Sequence, residues 1–481
     1  MAAMPRVMRP DSVITLVREY FESVLAQFDR VSEVDEYADA RQGMTGDGGD
    51  DPNDHVYMPA EGESEVNDEY RQVAGLARSP WAPLIVTSLA QTLFLENVRR
   101  TGSTTPLEAW RIWRENGWDA RQDALYRAEI EHGLAYVSSM PSRIGFGNRA
   151  SVKMRGHSAR RMACFYDDEN DEWPLFGIRA EPTRGRRPGD PDGYNVWLWD
   201  ETAVHQLRCI NRGGSEDEWT YVSYVEHPSG VTPIVRYTNR IDLDGKATGE
   251  IEPLIPLFGR IDQDTFDRLI VQRFGAWKVR WIAGMELPAG QEQQEKFRLA
   301  IEQILVAKDK DTKFGTLDAT DLAGFIASEA ADLRTLSAVS QTPPHHLLGL
   351  SANLQAESLA AAEAGLIRKS GAFRTSNGES WEQQFRLNSL LLGRPEDAAA
   401  YDLMADWRDP ETRSLAQAAD ALGKLASQLK IPVEMLWQRV PGWKDGDTEL
   451  AKKLIGGGVI DELMAEIEAQ GGLLQLQGAG A

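Results

Sequence analysis

Residues 261–285, IDQDTFDRLIVQRFGAWKVRWIAGM, and residues 351–385, SANLQAESLAAAEAGLIRKSGAFRTSNGESWEQQF, decide how this chain is read. In the first, Phe266, Ile270, Phe274, Trp277 and Trp281 keep an i, i+4, i+8, i+11, i+15 stripe, which predicts one long amphipathic helix from Ile261 to Met285. In the second, the run from Ala356 has very high helix propensity, and Leu359, Leu366 and Phe373 stand seven apart as a narrow apolar seam. Gly365, Gly371 and Gly378 weaken that helix and predict a bend near them.

The sequence between these stretches completes the pattern. Residues 286–320 leave the first helix through Leu-Pro-Ala-Gly, suggest a short helix at 297–306, then pass Lys308, Lys310 and Lys313 and a Phe-Gly turn. Residues 324–339 resume as a helix, and Pro343-Pro344 is expected to end it because neither proline can donate a backbone hydrogen bond. Two helices thus read as paired arms with an insertion at their shared end. Residues 349–355, Gly349, Leu350, Ser351, Ala352, Asn353, Leu354 and Gln355, form a short uncharged loop before the next helix.

Upstream, Asp11 or Ser12 is positioned to cap a helix whose apolar residues are Val13, Val17, Phe21, Val24 and Phe28. Residues 43–65 read as an acidic loop, with helices expected at 83–98 and 106–137, the latter crowded with Trp110, Trp113 and Trp118. From Ser151 the period becomes two: 163–166 and 173–178 flank an acidic turn, and 195–201, 204–209, 219–226 and 233–238 follow as short strands. Downstream, Tyr401, Leu403, Ala405 and Trp407 alternate with polar residues as a single half-buried strand, expected to join the middle sheet. From Glu411 the chain returns to Ala- and Leu-rich helix. The fold class is α+β, an antiparallel sheet unit set among helices.

Composition narrows the function. A chain of 481 residues suggests two to four structural units, and 42% hydrophobic content with 14 Trp supplies enough apolar surface for packed cores. A net charge of −22 argues against gripping DNA through a broad basic face. Two cysteines, Cys164 and Cys209, fit neither metal spacing nor a disulfide framework, so a reducing, intracellular environment is expected. No signal-peptide core and no apolar run of about 18 residues is present, which predicts a soluble chain.

No constellation for catalysis stands out. His345-His346 is the best metal candidate, yet adjacent side chains on a turn are expected to diverge and no acidic cluster lies at ligand spacing, so no metal or cofactor is expected. The acids Asp47, Asp50, Asp51 and Asp54 do not match calcium-loop spacing. Gly145–Ala150 is half a dinucleotide fingerprint in the wrong context, Ser351 lacks a nucleophile elbow, and no phosphate-binding Gly-Lys-Ser/Thr loop occurs. With 74 acidic residues, paired carboxylates select nothing.

The order of parts is similar to that of tailed-phage portal proteins, and most like the SPP1-type portals, with IDQDTFDRLI (261–270) and SANLQAESL (351–359) as the nearest local matches. The resemblance implies a portal fold: a wing from residues 1–256 with a returning strand at 399–408, stem helices at 257–285 and 321–343, and a clip at 286–320. It further implies a break and tunnel loop at 344–355, a long kinked helix at 356–392 and a crown at 409–481. It implies a non-enzymatic, homo-oligomeric ring, a dodecamer, at one capsid vertex of the virion, assembled in the host cytoplasm. The implied partners are the terminase large subunit, the major capsid and scaffolding proteins, a head-to-tail connector or adaptor, and double-stranded DNA passing through without sequence preference; no membrane is involved. In such a ring the summed charge is roughly −260, a field that repels a confined polyanion. On this reading Gly349 to Gln355 face the DNA, Lys308, Lys310 and Lys313 dock a partner, and Leu359, Leu366 and Phe373 serve ring assembly. The alternatives are another phage structural protein, such as a minor head protein, or an unrelated hydrolase using paired carboxylates.

Overall fold

The structure is a computed structural model that describes residues 6–38, 73–102, 107, 109–144, 149–168, 171–183, 192–210, 217–275, 280–283, 313–316, 322–349, 356–408, 415–437, 440 and 451. The chain divides into two units, Met1–Arg408 and Asp409–Ala481. The first half of unit one runs α1 (Pro10–Ala38), α2 (Trp81–Ala90), β1 (Leu95–Arg100), α3 (Trp110–Glu115), α4 (Trp118–His132), β2 (Leu134–Ile144), β3 (Arg149–Ser158), β4 (Met162–Phe165), β5 (Phe176–Thr183), β6 (Gly193–Trp199), β7 (Ala203–Ile210), β8 (Glu218–Glu226) and β9 (Ile234–Thr238). It continues through α5 (Ile255–Gly275), β10 (Arg280–Ala283), β11 (Lys313–Thr316), α6 (Ala323–Ser340), α7 (Pro344–Leu348), α8 (Ala356–Leu391), α9 (Pro395–Ala398) and β12 (Leu403–Trp407).

Helix α1 covers the larger sheet. The strands lie in the order β4-β5-β6-β7-β8, every neighbour antiparallel, as short strands joined by turns require. The predicted face of α1 is the buried one: Val13, Val17, Phe21 and Val24 pack against Ile178, Ala180, Val196, Leu198 and Leu207. Phe21 also meets Trp219 edge to face, with ring centroids 4.9 Å apart. The expected caps are displaced, because the helix begins at Pro10 and Asp11 lies in its first turn. Proline is favoured there, having no N–H to leave unpaired, and Asp11 complements the positive end of the helix dipole.

The second sheet, β3-β2-β9, is the platform on which the central helices rest. It begins earlier than the sequence suggests, since α4 stops at His132 and β2 starts at Leu134. The switch falls on Gly133, whose φ of +81° suits glycine and whose missing Cβ leaves room for the Thr248 backbone: a Cβ there would lie 2.6 Å from the Thr248 carbonyl carbon.

Four further expectations need correction. The helix expected at 83–98 ends at Ala90, and residues 95–100 are instead strand β1. β1 pairs antiparallel with β12, Val98 opposite Ala405, so the returning strand has its own two-stranded sheet and does not join the middle one. A strand partner some 300 residues away is invisible to local periodicity. Helix α5 starts at Ile255, six residues earlier than expected, and ends at Gly275. Trp281 does not extend its stripe, because it lies in β10, opposite Gly315 of β11. Glycine weakens the helix and a ladder replaces its hydrogen bonds. The upper part of the stripe stands: Phe266, with Leu269 and Ile270, is covered by Val73, Ala74 and Ala77 of the helical turn at 73–77. Lastly, α6 ends at Gln341 in the left-handed region (φ +57°), and Pro343-Pro344 opens α7 instead of stopping α6. Pro343 has φ −54° and ψ +134°, the extended conformation that a following proline imposes, which places Pro344 as the first residue of α7.

Unit two contains α10 (Leu415–Gln428) and α11 (Val433–Leu436), with Ala418 and Leu436 buried. The acidic loop at 43–65 and the short helix expected at 297–306 lie outside the described residues.

Candidate functional site

The candidate site is the corner formed by α5, α6, α7 and α8, which holds Gly349, His345, His346, Leu366 and Phe373 of the residues that the sequence singles out. Antiparallel α5 and α6 are joined on their outer faces by charge. Arg260 holds Asp332 through two hydrogen bonds of 2.9 and 2.6 Å, Arg268 lies 2.7 Å from Glu329, and Ser328 donates to Asp264 at 2.6 Å. Such half-exposed pairs contribute little stability individually, but in series they fix how the two helices align.

At its C-terminal end α6 is anchored to α8 and to Glu250. The buried Lys369 ammonium donates to the Ser340 carbonyl at 2.9 Å and pairs with the Glu250 carboxylate. Burial pulls the Lys369 pKa down while Glu250 opposes that shift. Ser337 donates to the Thr342 carbonyl at 2.7 Å, closing the turn that Gln341 makes. Helix α7 then ends on Gly349 at φ +64°, whose N–H bonds the His345 carbonyl at 3.2 Å.

Helix α8 enters the core as a single 36-residue element. Its apolar side chains Leu366, Phe373, Trp381 and Phe385 are buried together with Trp113, Trp118 and Tyr126. Trp381 meets Trp113 and Trp118 edge to face at 4.9 and 5.4 Å between ring centroids, and donates to the Tyr126 hydroxyl at 2.9 Å. Beside this seam runs a polar one, Ser370, Asn377, Gln384 and Asn388, all fully buried. Thr92 donates to Ser370 at 2.9 Å, Asn377 donates to Glu129 at 2.9 Å, Gln384 donates to Ser139 at 2.7 Å, and Ser139 donates to Asn388 at 2.7 Å. Ser376 and Ser380 add bonds to the Thr238 and Arg236 carbonyls of β9, both at 2.9 Å. These partners sit on the platform sheet, on α4 and, for Ser370, in the turn before β1, so sliding the helix by one turn would break the series.

Glu129 is the exceptional member. Full burial pushes its carboxyl up to about 8 against the opposing bond from Asn377, so it is protonated at neutral pH. Glu129 Oε2 and Asn377 Oδ1 are both buried without a donor, and protonation supplies one.

The structure sorts the residues singled out in the sequence. Gly349 caps α7, whereas Leu350, Ser351, Ala352, Asn353, Leu354 and Gln355 lie outside the described residues. Lys308 and Lys310 also lie outside them; Lys313 is the first residue of β11, opposite Ala283. Leu366 and Phe373 are 6% and 2% exposed within the chain's own core, so a free chain already covers the seam that the sequence reads as bare. Nothing is described of the Leu359 side chain. The neighbours His345 and His346 do not diverge as expected: their rings are 4.4 Å apart, and Glu363 of α8 lies beside them. Cys164 and Cys209 are free thiols.

The sequence reading missed Lys369, the polar seam and Glu129. A signal was present, since Ser370, Asn377 and Gln384 repeat every seven residues, four positions after Leu366, Phe373 and Ser380. On a helix that offset places them on the same face as the apolar seam.

A family model described as phage portal protein, SPP1 Gp6-like, matches residues 26–462. Among curated relatives, the portal protein of Mycobacterium phage D29 is 27% identical over 368 residues, covering 73% of each chain. The portal protein of Mycobacterium phage L5 is 25% identical over 369 residues, covering 73% of this chain and 72% of its own. Among solved structures, a chain in the neck of a native GTA particle computed with C12 symmetry superposes with a TM-score of 0.47 at 13% identity, over 80% of this chain and 96% of that one. With a match that spans nearly its whole length, the chain belongs to the SPP1 Gp6-like family of phage portal proteins.

Proposed function

We propose that this chain builds the portal ring at one vertex of a tailed-phage capsid, the conduit for double-stranded DNA during packaging and ejection. The observation that carries this is the family match over residues 26–462. Portal proteins are structural parts of the virion, and an uncatalytic role suits a site built of anchoring bonds. No described helix is long and apolar enough to cross a membrane.

Within that reading, residues 1–256 with 399–408 form the wing, 257–285 and 321–343 the stem, 286–320 the clip, 356–392 the long helix and 409–481 the crown. The β10–β11 ladder closes the base of the clip. Lys308, Lys310 and Lys313 meet the terminase large subunit or the head-to-tail adaptor, and capsid and scaffolding proteins contact the wing. The uncharged segment 349–355 faces the DNA, where a phosphate passes without charge-assisted bonds to hold it. Lateral contacts with a second copy use apolar groups that the chain leaves uncovered on α6, Ile326 and Val339, which are 55% and 59% exposed.

Light scattering and negative-stain imaging of the purified chain test the ring directly. A closed particle of about twelve chain masses is expected, and a stable monomer at high concentration would instead favour the hydrolase alternative. For the loop, replacing Asn353 and Gln355 with Arg should slow packaging at low salt and recover as salt screens the new phosphate contacts. Parental packaging rates in that double variant would remove the loop from the DNA path.

A further inference from the structure

The corner before and after residues 350–355 holds a cluster that the anchoring bonds do not use. His345 and His346 of α7 have ring centroids 4.4 Å apart at 77°, and Glu363 of α8 lies with its Oε1 3.8 Å from His345 Nε2. One donor atom from each of the three falls within 4.8 Å of the other two. Among the described residues no Lys or Arg is paired with Glu363. His345 Nδ1 is buried with no hydrogen-bond partner, while His346 is exposed and Glu363 half-buried, which gives an ion a route in.

We propose that His345, His346 and Glu363 bind a divalent transition-metal ion, of the Zn²⁺ or Co²⁺ type, that fastens α7 to α8. Two imidazole nitrogens and one carboxylate oxygen are the donor set such ions prefer over calcium or magnesium, and a water completes a tetrahedron. Bonds of about 2.1 Å bring the three donors closer together than they now stand, a change within reach of rotations of the exposed His346 and half-buried Glu363 side chains.

A second cluster, Asp35, Glu131 and His132, has similar spacing but is already satisfied. Arg160 lies 2.6 Å from Asp35 and 3.7 Å from Glu131, and His132 lies 2.7 Å from Asp35, so an incoming cation would face a guanidinium. The ligands at His345, His346 and Glu363 flank the uncharged segment in sequence, so the ion ties its two ends together wherever that segment faces. The inference therefore stands apart from the portal reading.

The test uses untagged full-length protein, stripped with chelator and titrated with Co²⁺ alone while its visible absorption is followed. One Co²⁺ per chain is expected, displaced by Zn²⁺. His346→Gln and Glu363→Gln should each weaken binding by about tenfold or more, since even partners outside the coordination shell matter at that level. His346 is exposed and Glu363 half-buried, and circular dichroism checks that the variants keep their helices. Zn²⁺ should raise the melting temperature of the parent and not of the variants. No Co²⁺ band in the parent overturns the proposal; so does binding that survives both substitutions, or that is lost in His132→Gln instead.

Discussion

Replacing Glu129 with Gln removes one buried proton site while keeping a neutral partner for Asn377. In the folded chain burial raises the Glu129 carboxyl from 4.5 to about 8, so over that interval the native state holds a proton that the unfolded state has released. Stability from this group is therefore fully present below the unfolded value and is lost as pH rises through the folded one. The slope is about 1.4 kcal/mol per pH unit, which accumulates to ~4–5 kcal/mol across the interval. Urea unfolding followed by tryptophan fluorescence is a suitable assay, because Trp113, Trp118 and Trp381 are packed in the same core as α8. The parent should lose stability relative to Glu129→Gln steadily from about pH 5 to about pH 7.5, with the variant the flatter of the two. Other raised acids, such as Asp262 at about 7, are present in both proteins and cancel in the difference. Parallel curves for parent and variant would refute the reasoning, since they would mean that Glu129 titrates alike folded and unfolded.

Lys369→Met should destabilise the chain by about 3–5 kcal/mol by stranding the buried Glu250, and adding Glu250→Met should recover most of it; equal loss in the double variant would show that the pair is not the cause. Asp200 is buried, but bonds from His205 at 3.0 Å, Thr202 at 2.6 and 2.7 Å and Ala203 at 2.8 Å hold its carboxyl at about 2. Its contribution is present above the ordinary value of 3.8 and fades as pH falls through the folded one, so Asp200→Asn should cost about 1–3 kcal/mol at neutral pH in thermal unfolding and less in acid. Ile326→Asp with Val339→Asp should lower ring yield in scattering measurements without changing the circular dichroism of the chain, whereas Leu366→Asp should unfold it; intact rings from the first variant would move the lateral contact off α6.

Periodicity alone determined a good part of this protein. The apolar face of α1, the meander from β4 to β8, the start of α8 at Ala356 and the extent of α6 follow from spacings of two and of three to four, because each buries one face against whatever lies nearby. The order of these parts also carried the family resemblance. What local pattern could not supply was identity of partner. β1 became a strand because β12, some 300 residues on, offered its edge, and α5 stopped at Gly275 because residues 280–283 and 313–316 pair across the insertion. Leu366 and Phe373 read as a seam in want of a neighbour, yet the neighbour is the chain's own tryptophan core. Glu129, Asn377, Lys369 and Glu250 look like solvated helix and loop residues in sequence, since burial of a polar group is legible only once its partner is in place. The same holds for His345, His346 and Glu363: a turn and a helix separated by the uncharged segment share a site only because α7 folds back beside the second turn of α8. Sequence fixes which face of an element is apolar; three-dimensional packing decides what that face, and every polar group beside it, will meet.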